Sequence, residues 1–453
     1  MRDALRTPDD RLVQVLHPGF WNREPGPDFR NAVVRIGDEP AVSGDVEVDL
    51  RSDGWRGHGH DRNSAYSNVI LHVVWAATTR RLADRPTLAI GDRLDAPLAE
   101  LQRLLDGERP PPLTEAQQGR CSAPLRALAT EQRENLLRQA ARVRLEVRAS
   151  QLCARARQLG WESALVEGLF RGLGYKHNAW PMQRLGELVP KLRGVLEDSA
   201  DANRPLAWQA VLLGTSGLLS SDASRRSSTG DHLRELWDIW WRLRDRCAEY
   251  LLPANLWRLA GIRPANHPQR RLALAAHWLS DPKFFKRLES WFAGVARQIS
   301  QSDPAGATVG AVGELCAALN PGADVFWSHH CTLRSKAMTA PQALLGQARV
   351  TDLAVNVILP WFYTRAREGR NEAWLHAGEQ LWFTWPAAED NAVLRLARAR
   401  LLGHARSGTL KTAAAQQGLL QIVRDFCDHS NAICEQCRFP QLVAGITPSI
   451  PSP

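Results

Sequence analysis

The chain has 453 residues, with 57 Lys plus Arg against 48 Asp plus Glu, a net charge of +9. Its 44% hydrophobic and 23% charged residues are ordinary for globular proteins, which excludes a fibrous or wholly disordered chain. No apolar run approaches the ~18–20 residues of a membrane span, and the charged start Met1–Asp10 lacks a signal-peptide core, so a cytoplasmic protein with no membrane partner is expected.

At roughly 100–200 residues per domain, the length suggests two to four domains. Residues 1–108 read as strands and turns. Ala32–Ile36 and Val42–Leu50 are β-rich runs separated by Gly37-Asp38-Glu39-Pro40, a turn signal. Asn68–Ala77 is a continuous apolar run of strand length, expected in the sheet centre. Leu94–Leu105 has a short helical pattern. The Pro-rich stretch at 109–113 is a stiff linker and the expected domain boundary.

From Thr114 to about residue 440 the pattern is helical. Glu131–Leu159 repeats apolar residues at Leu136, Ala140, Val143 and Val147, which predicts a helix with that stripe buried. Further helices are expected at Ala164–Leu173, Met182–Leu192, Leu206–Leu213, Asp231–Glu249, Pro268–Leu279, Pro282–Ile299, Gly310–Ala318 and Ala392–Leu402. Residues 441–453 read as a flexible tail. The expected class is α+β, a small N-terminal mixed sheet followed by a larger all-helical region. Charge divides unevenly: residues 1–112 hold 15 basic and 18 acidic residues, the rest 42 basic and 30 acidic. Six of the basic residues are Lys and 51 are Arg, which fits either a GC-rich genome or phosphate recognition by guanidinium forks.

The most informative segment is Pro27-Asp28, a strand, a turn, and then Asp45-Val46-Glu47-Val48-Asp49-Leu50. Alternation puts Asp45, Glu47 and Asp49 on one face, and Val46, Val48 and Leu50 on the other, where they can pack on a core. Three carboxylates at this spacing repel one another and call for a positive charge opposite. A hard divalent cation, Mg²⁺ or Mn²⁺, held by Asp28, Asp45 and Glu47 meets that need; a wet polar face is the simpler alternative.

The order Pro-Asp, strand, turn, strand with Glu resembles the core of the PD-(D/E)xK nuclease superfamily. The resemblance implies Asp28 and Glu47 as metal-holding catalytic residues and a nuclease-like fold for residues 1–108. Asp49 stands where that motif has lysine. A longer resemblance runs through His17-Pro18-Gly19, Gly26-Pro27-Asp28-Phe29, Gly44-Asp45-Val46-Glu47, Trp55-x-x-His58-x-His60, Leu71-His72-Val73-Val74, Gly174-Tyr175-Lys176, Arg263-Pro264-Ala265-Asn266 and the terminal cysteines. Together these are similar to an uncharacterised bacterial domain-of-unknown-function family of the DUF2851 type. Its members carry a further N-terminal helix, which implies a shortened start here, and many have His in place of Asp49.

His58 and His60 would share a face if extended, and could supply the function of the missing lysine; a surface turn is the alternative. His72, on the apolar strand, is expected to be a hydrogen-bonded core residue. Cys427-x6-Cys434-x2-Cys437 offers three soft ligands for zinc or an iron–sulfur cluster, with Cys121 or His429 as the fourth, or else reduced structural thiols. One early cysteine with three late ones resembles the iron–sulfur staple of some helicase-nucleases, although there the nuclease core lies between them. Lys176, Arg263 and Arg271 sit in or beside loops suited to phosphate contact, or to helix capping with solvated charge. The expected function is metal-dependent hydrolysis of nucleic acid, DNA and RNA both open. The alternatives are a nucleic-acid-binding protein without cleavage and an interaction scaffold. Oligomeric state is left open.

Overall fold

The structure, a computed structural model of the chain, describes residues 4–22, 26–76, 85–94, 119–175, 177–197, 204–219, 230–259, 261–301, 304–403, 410–427, 434 and 437–446. The stretch 95–105, the linker 109–113, Lys176, His429 and the end of the tail from 447 lie outside these residues. The chain divides into two compact units. One comprises residues 1–133, 392–406 and 422–453, and the other residues 134–391 and 407–421.

The first unit is built on a mixed sheet with six strands among the described residues: β1 (Val13–His17), β2 (Phe20–Trp21), β3 (Phe29–Ile36), β4 (Val42–Arg51), β5 (Val69–Ala76) and β6 (Thr87–Ala89). The order is β1-β3-β4-β5-β6, with β2 also pairing β3. β3 and β4 form an antiparallel hairpin across the expected turn, while β5 runs parallel to β4 and to β6. The apolar run thus occupies an interior strand, as its continuous hydrophobicity requires. Val13, Ala32, Val34, Val46, Leu71 and Leu88 make the core of the sheet.

One expectation holds only in part. Val46 packs in the core, but Val48 and Leu50 are 40% and 79% exposed, and the carboxylate face of β4 is covered too, with Asp45, Glu47 and Asp49 6–8% exposed. The cause is the parallel β4–β5 connection, which must cross over the sheet. It does so as a short helix (Gly54–Gly57) and two tight 3₁₀ turns (His60–Arg62 and Ser64–Tyr66), which bring Trp55 and His60 onto that face.

The second unit is helical. Its helices include Trp161–Leu173, Ala179–Glu197, Pro205–Thr215, Gly230–Leu243, Pro268–Ser280, Phe284–Gln301 and Pro304–Leu319, each overlapping an expected segment with shifted ends; the one expected at Asp231–Glu249 continues past Leu243 as a 3₁₀ helix, Arg244–Tyr250. Helices over Glu372–Thr384 and Ala413–Ile422, and the helical run through 347–368, were not expected. The 30-residue helix Thr130–Leu159 buries Leu137, Ala141, Leu145, Ala149, Cys153 and Ala156. That stripe lies one to two residues on from the expected one, and Val143 is 48% exposed. The small residues on the buried stripe allow close approach: the backbone of Leu137 leaves no room for a Cβ on Gly418. In the first unit, Phe439–Ala444 is a helix, so ordered chain reaches past residue 441. No helix among the described residues is long and apolar enough to cross a membrane.

Candidate metal centre

On β4, alternate side chains place Asp45, Glu47 and Asp49 under the crossover. Gly59 takes φ +73, a left-handed conformation that reverses the chain between His58 and His60. The two rings therefore meet through a turn, with centroids 5.4 Å apart, and not along an extended strand. Gly54 serves differently. A Cβ there would lie 2.8 Å from Asp49 Oδ1, so the missing side chain is what admits the carboxylate.

The contacts form a connected array. Asp49 Oδ1 is 3.1 Å from His58 Nδ1, and Oδ2 is 2.9 Å from His72 Nε2. Glu47 Oε1 is 3.6 Å from His60 Nδ1, while Oε2 accepts a hydrogen bond from Asp28 N at 3.1 Å. Asp28 Oδ2 in turn accepts from Val48 N at 3.0 Å. Trp55 stacks on His60 at 5.4 Å, and Tyr66 meets that ring edge-on at 4.0 Å.

Among the described residues, one ligand atom from each of Asp49, His58 and His60 lies within 4.8 Å of the others. The donors fit a metal. His60 is 7% exposed, yet neither ring nitrogen has a hydrogen-bond partner, and 3.6 Å to Glu47 is too long for one. A buried imidazole in that state is costly unless something else binds it. Burial, against the pull of Asp49, holds His60 below the usual histidine range, which favours the neutral, ligating form. Burial first, and then the charge of Asp28, pushes Glu47 up to about 7. Two imidazoles with a carboxylate suit Mn²⁺, Fe²⁺ or Zn²⁺ better than Mg²⁺, which prefers oxygen donors throughout.

Trp55 also lines a cleft of about 740 Å³, whose rim includes Arg56, Arg62 and Arg85. Arg85 lies over the Trp55 ring at 5.2 Å and donates to the carbonyl of Val69. Arg56 and Arg62 are exposed.

Residues 1–391 match the family described as "Protein of unknown function (DUF2851)". The chain belongs to that family. No curated protein and no solved structure matches it. In this DUF2851 member the structure brings Asp28 and Glu47 together and gathers His58 and His60 on one face. Asp45 is buried beside them but accepts a hydrogen bond from Asn31 N at 3.1 Å. Asp49 is the donor the sequence reading passed over, because it occupied a position where lysine was sought. Its alternation with Glu47 was the available signal. His72 is fully buried and hydrogen-bonded, as expected of a core histidine, and its partner is that same Asp49.

The expected phosphate contacts fare differently. Arg263 has a side chain 79% exposed and stands 4.0 Å from Glu389. Arg271 is 2% exposed, and its guanidinium donates to the Leu344 carbonyl and to Asn266 Oδ1. Those donors are spent inside the helical unit, so Arg271 cannot reach a phosphate. Cys121, Cys427, Cys434 and Cys437 lie in the first unit, with Arg400 against Cys434.

Proposed function

We propose that this chain is a divalent-metal-dependent phosphodiesterase acting on nucleic acid, with Asp49, His58 and His60 as the metal ligands. The observation that carries this reading is the convergence of those three donors around a buried His60 whose ring nitrogens lack hydrogen bonds. A bound divalent ion supplies Lewis acidity toward a phosphoryl oxygen and an acidified water. Glu47, beside His60 and under the same cover, is placed to accept the proton from that water. Asp28 orients Glu47 through its backbone N–H. His72 fixes the Asp49 carboxylate. Arg56 and Arg62 at the cleft rim supply exposed cations for phosphate.

The order Asp28, strand, turn, Glu47 supports the nuclease reading, as does the parallel strand that follows. Asp49 in place of the motif lysine supports a second reading, binding of nucleic acid without cleavage. Incubating the purified full chain with single- and double-stranded DNA and RNA separates them, using Mn²⁺, Zn²⁺ or Mg²⁺ in turn. Metal-dependent cleavage that disappears in Asp49→Ala and His60→Ala is expected. A salt-sensitive gel shift with no cleavage under any metal would select the second reading. Neither cleavage nor binding would remove both.

A further inference from the structure

Asp28 leads into β3, and Arg30 is the second residue of that strand. Phe29, between them, packs against the core of the sheet, as does Val46, its partner on β4. Asp45 and Glu47 flank Val46, so alternation puts Arg30 on the same face as these carboxylates. A bulge reinforces the placement. The β3–β4 register shifts between Phe29 and Ala32, and Arg30 and Asn31 together stand opposite Asp45. Asn31 takes φ +55, and its N–H donates to Asp45 Oδ1 at 3.1 Å.

The guanidinium of Arg30 reaches back over the turn that leads into Asp28. A Cβ on Gly26 would lie 2.8 Å from Arg30 Nη2, so the missing side chain gives the guanidinium its place. Gly26 also has φ +119, a conformation that favours glycine. Asn22 pins the turn, donating from Nδ2 to the Pro27 carbonyl at 2.8 Å and from N to the Asp28 carbonyl at 2.6 Å. Two Cα steps separate Gly26 from Asp28, a span of at most about 7.6 Å. Arg30 is half-buried, yet its guanidinium has no ion pair and no hydrogen bond among the described residues. The other arginine that alternation puts on this face, Arg51 at the end of β4, stands 3.5 Å from Asp53.

We infer that Arg30 is the substrate-phosphate contact of the metal centre, its guanidinium holding a non-bridging oxygen of the phosphodiester. This deepens the metal-dependent hydrolase reading and rests on it. Charge balance supports the assignment. Asp28, Asp45, Glu47 and Asp49 belong to one cluster, and four carboxylates outnumber the charges of one divalent ion. A phosphodiester anion entering such a site is repelled, and a fixed cation beside Asp28 offsets that repulsion. A guanidinium suits the task because it stays charged and its fork matches phosphate oxygens. Arginines with structural roles in this chain spend their donors on carbonyls, as Arg270 does on Trp327 and Arg271 on Leu344. Arg30 keeps its donors for a ligand.

The test reads anion binding apart from turnover. Mn²⁺ is titrated calorimetrically into the full-length wild type, Arg30→Met and Arg30→Lys. Inorganic phosphate is then titrated into each Mn²⁺-loaded protein, and broadening of its phosphorus resonance by the ion reports its proximity. Mn²⁺ affinity in Arg30→Met should equal or exceed that of the wild type, since a cation is removed and no ligand is. Phosphate affinity should fall about 10–100-fold, the loss of one charge-assisted hydrogen bond, and Arg30→Lys should recover part of it. Arg35 lies on the same strand, 3.5 Å from Gln14, and Arg35→Met should bind phosphate as the wild type does. If circular dichroism shows Arg30→Met unfolded, Arg30→Gln takes its place. A wild type that binds no Mn²⁺ would remove the hydrolase reading and this inference with it. Mn²⁺ binding with equal phosphate affinity in wild type and Arg30→Met would overturn the inference alone, as would an equal loss in Arg35→Met.

Discussion

His72 Nε2 lies 2.9 Å from Asp49 Oδ2, joining two adjacent parallel strands through a pair that is 0% and 8% exposed. With Oδ2 engaged there, Oδ1 is left toward His58. A carboxylate oriented in this way needs no reorganisation to bind an ion. Such outer partners typically contribute a factor of about 10–100 in metal affinity. His72→Ala should therefore weaken binding of Mn²⁺ or Zn²⁺ at the Asp49–His58–His60 site by about that factor, in a titration calorimeter, with circular dichroism confirming the fold. A folded variant with undiminished affinity would show that His72 is only core packing.

A second prediction concerns Gly54. Asp49 occupies the space in which a Cβ would sit, with carboxylate atoms at 2.8–3.0 Å from it. Gly54→Ala must move either the carboxylate or the short helix that it opens. Both shifts separate Asp49 from His58. The expected result is weakened metal binding on the order of tenfold, as for other losses of ligand orientation. Gly57, where a Cβ meets nothing within 4 Å, is the control, and Gly57→Ala should bind as the wild type does. Equal affinity in both variants would mean that the crossover yields freely.

How far the sequence could be read depended on the range of the interaction. The β3–β4 hairpin and the apolar β5 were legible because alternation and strand-length hydrophobicity are local properties. Alternation also put Asp45, Glu47 and Asp49 on a common face. It could not say which face is covered, because the cover is supplied by the later segment carrying Trp55 and His60. Of Val46, Val48 and Leu50, which composition alone assigns to a core, only Val46 is buried in one. His58 and His60 were legible as a pair, although their convergence comes from the left-handed Gly59 and not from an extended strand. The burial of Arg271 had no local sign: its carbonyl partner, Leu344, is 73 positions further along the chain. Nor did any local pattern announce that 392–406 and 422–453 group with the sheet.

Arg271 gives a third prediction. Its guanidinium satisfies Leu344 O and Asn266 Oδ1 and lies 5.6 Å from the centre of the Tyr175 ring, whose hydroxyl donates to the same Asn266. Arg271→Met keeps bulk but leaves the Leu344 carbonyl without that donor and loosens Asn266. The expected destabilisation is roughly 2–4 kcal/mol, read from denaturant midpoints, because charged hydrogen bonds at buried acceptors are lost. A stability change within about 0.5 kcal/mol, the range of ordinary surface substitutions, would refute the clamp.

The last prediction is an acid limb of stability that originates in the helical unit. Burial holds His232 down to about 4, with the charge of Asp324 raising it and that of His330 lowering it. Burial alone holds His267 down to about 4. His232 stacks on Phe326 with ring centroids 4.1 Å apart, and its Nε2 is buried without a hydrogen bond. His267 caps the helix Pro268–Ser280 by accepting from Gln269 N at Nδ1, which requires that nitrogen to be unprotonated. Both folded-state values lie below the 6.5 of an unperturbed histidine. The unfolded chain therefore binds more protons between those limits, and stability falls as pH drops through that window. Above the unfolded value the contribution is complete. At pH 5 the loss is on the order of 1–2 kcal/mol for each histidine. Phe at 232 retains the ring stack, and Asn at 267 is a good cap that does not titrate. The double variant His232→Phe, His267→Asn should lose much less stability than the wild type between pH 7 and pH 5 in urea titrations. The same pH dependence in both proteins would place the acid limb on other groups.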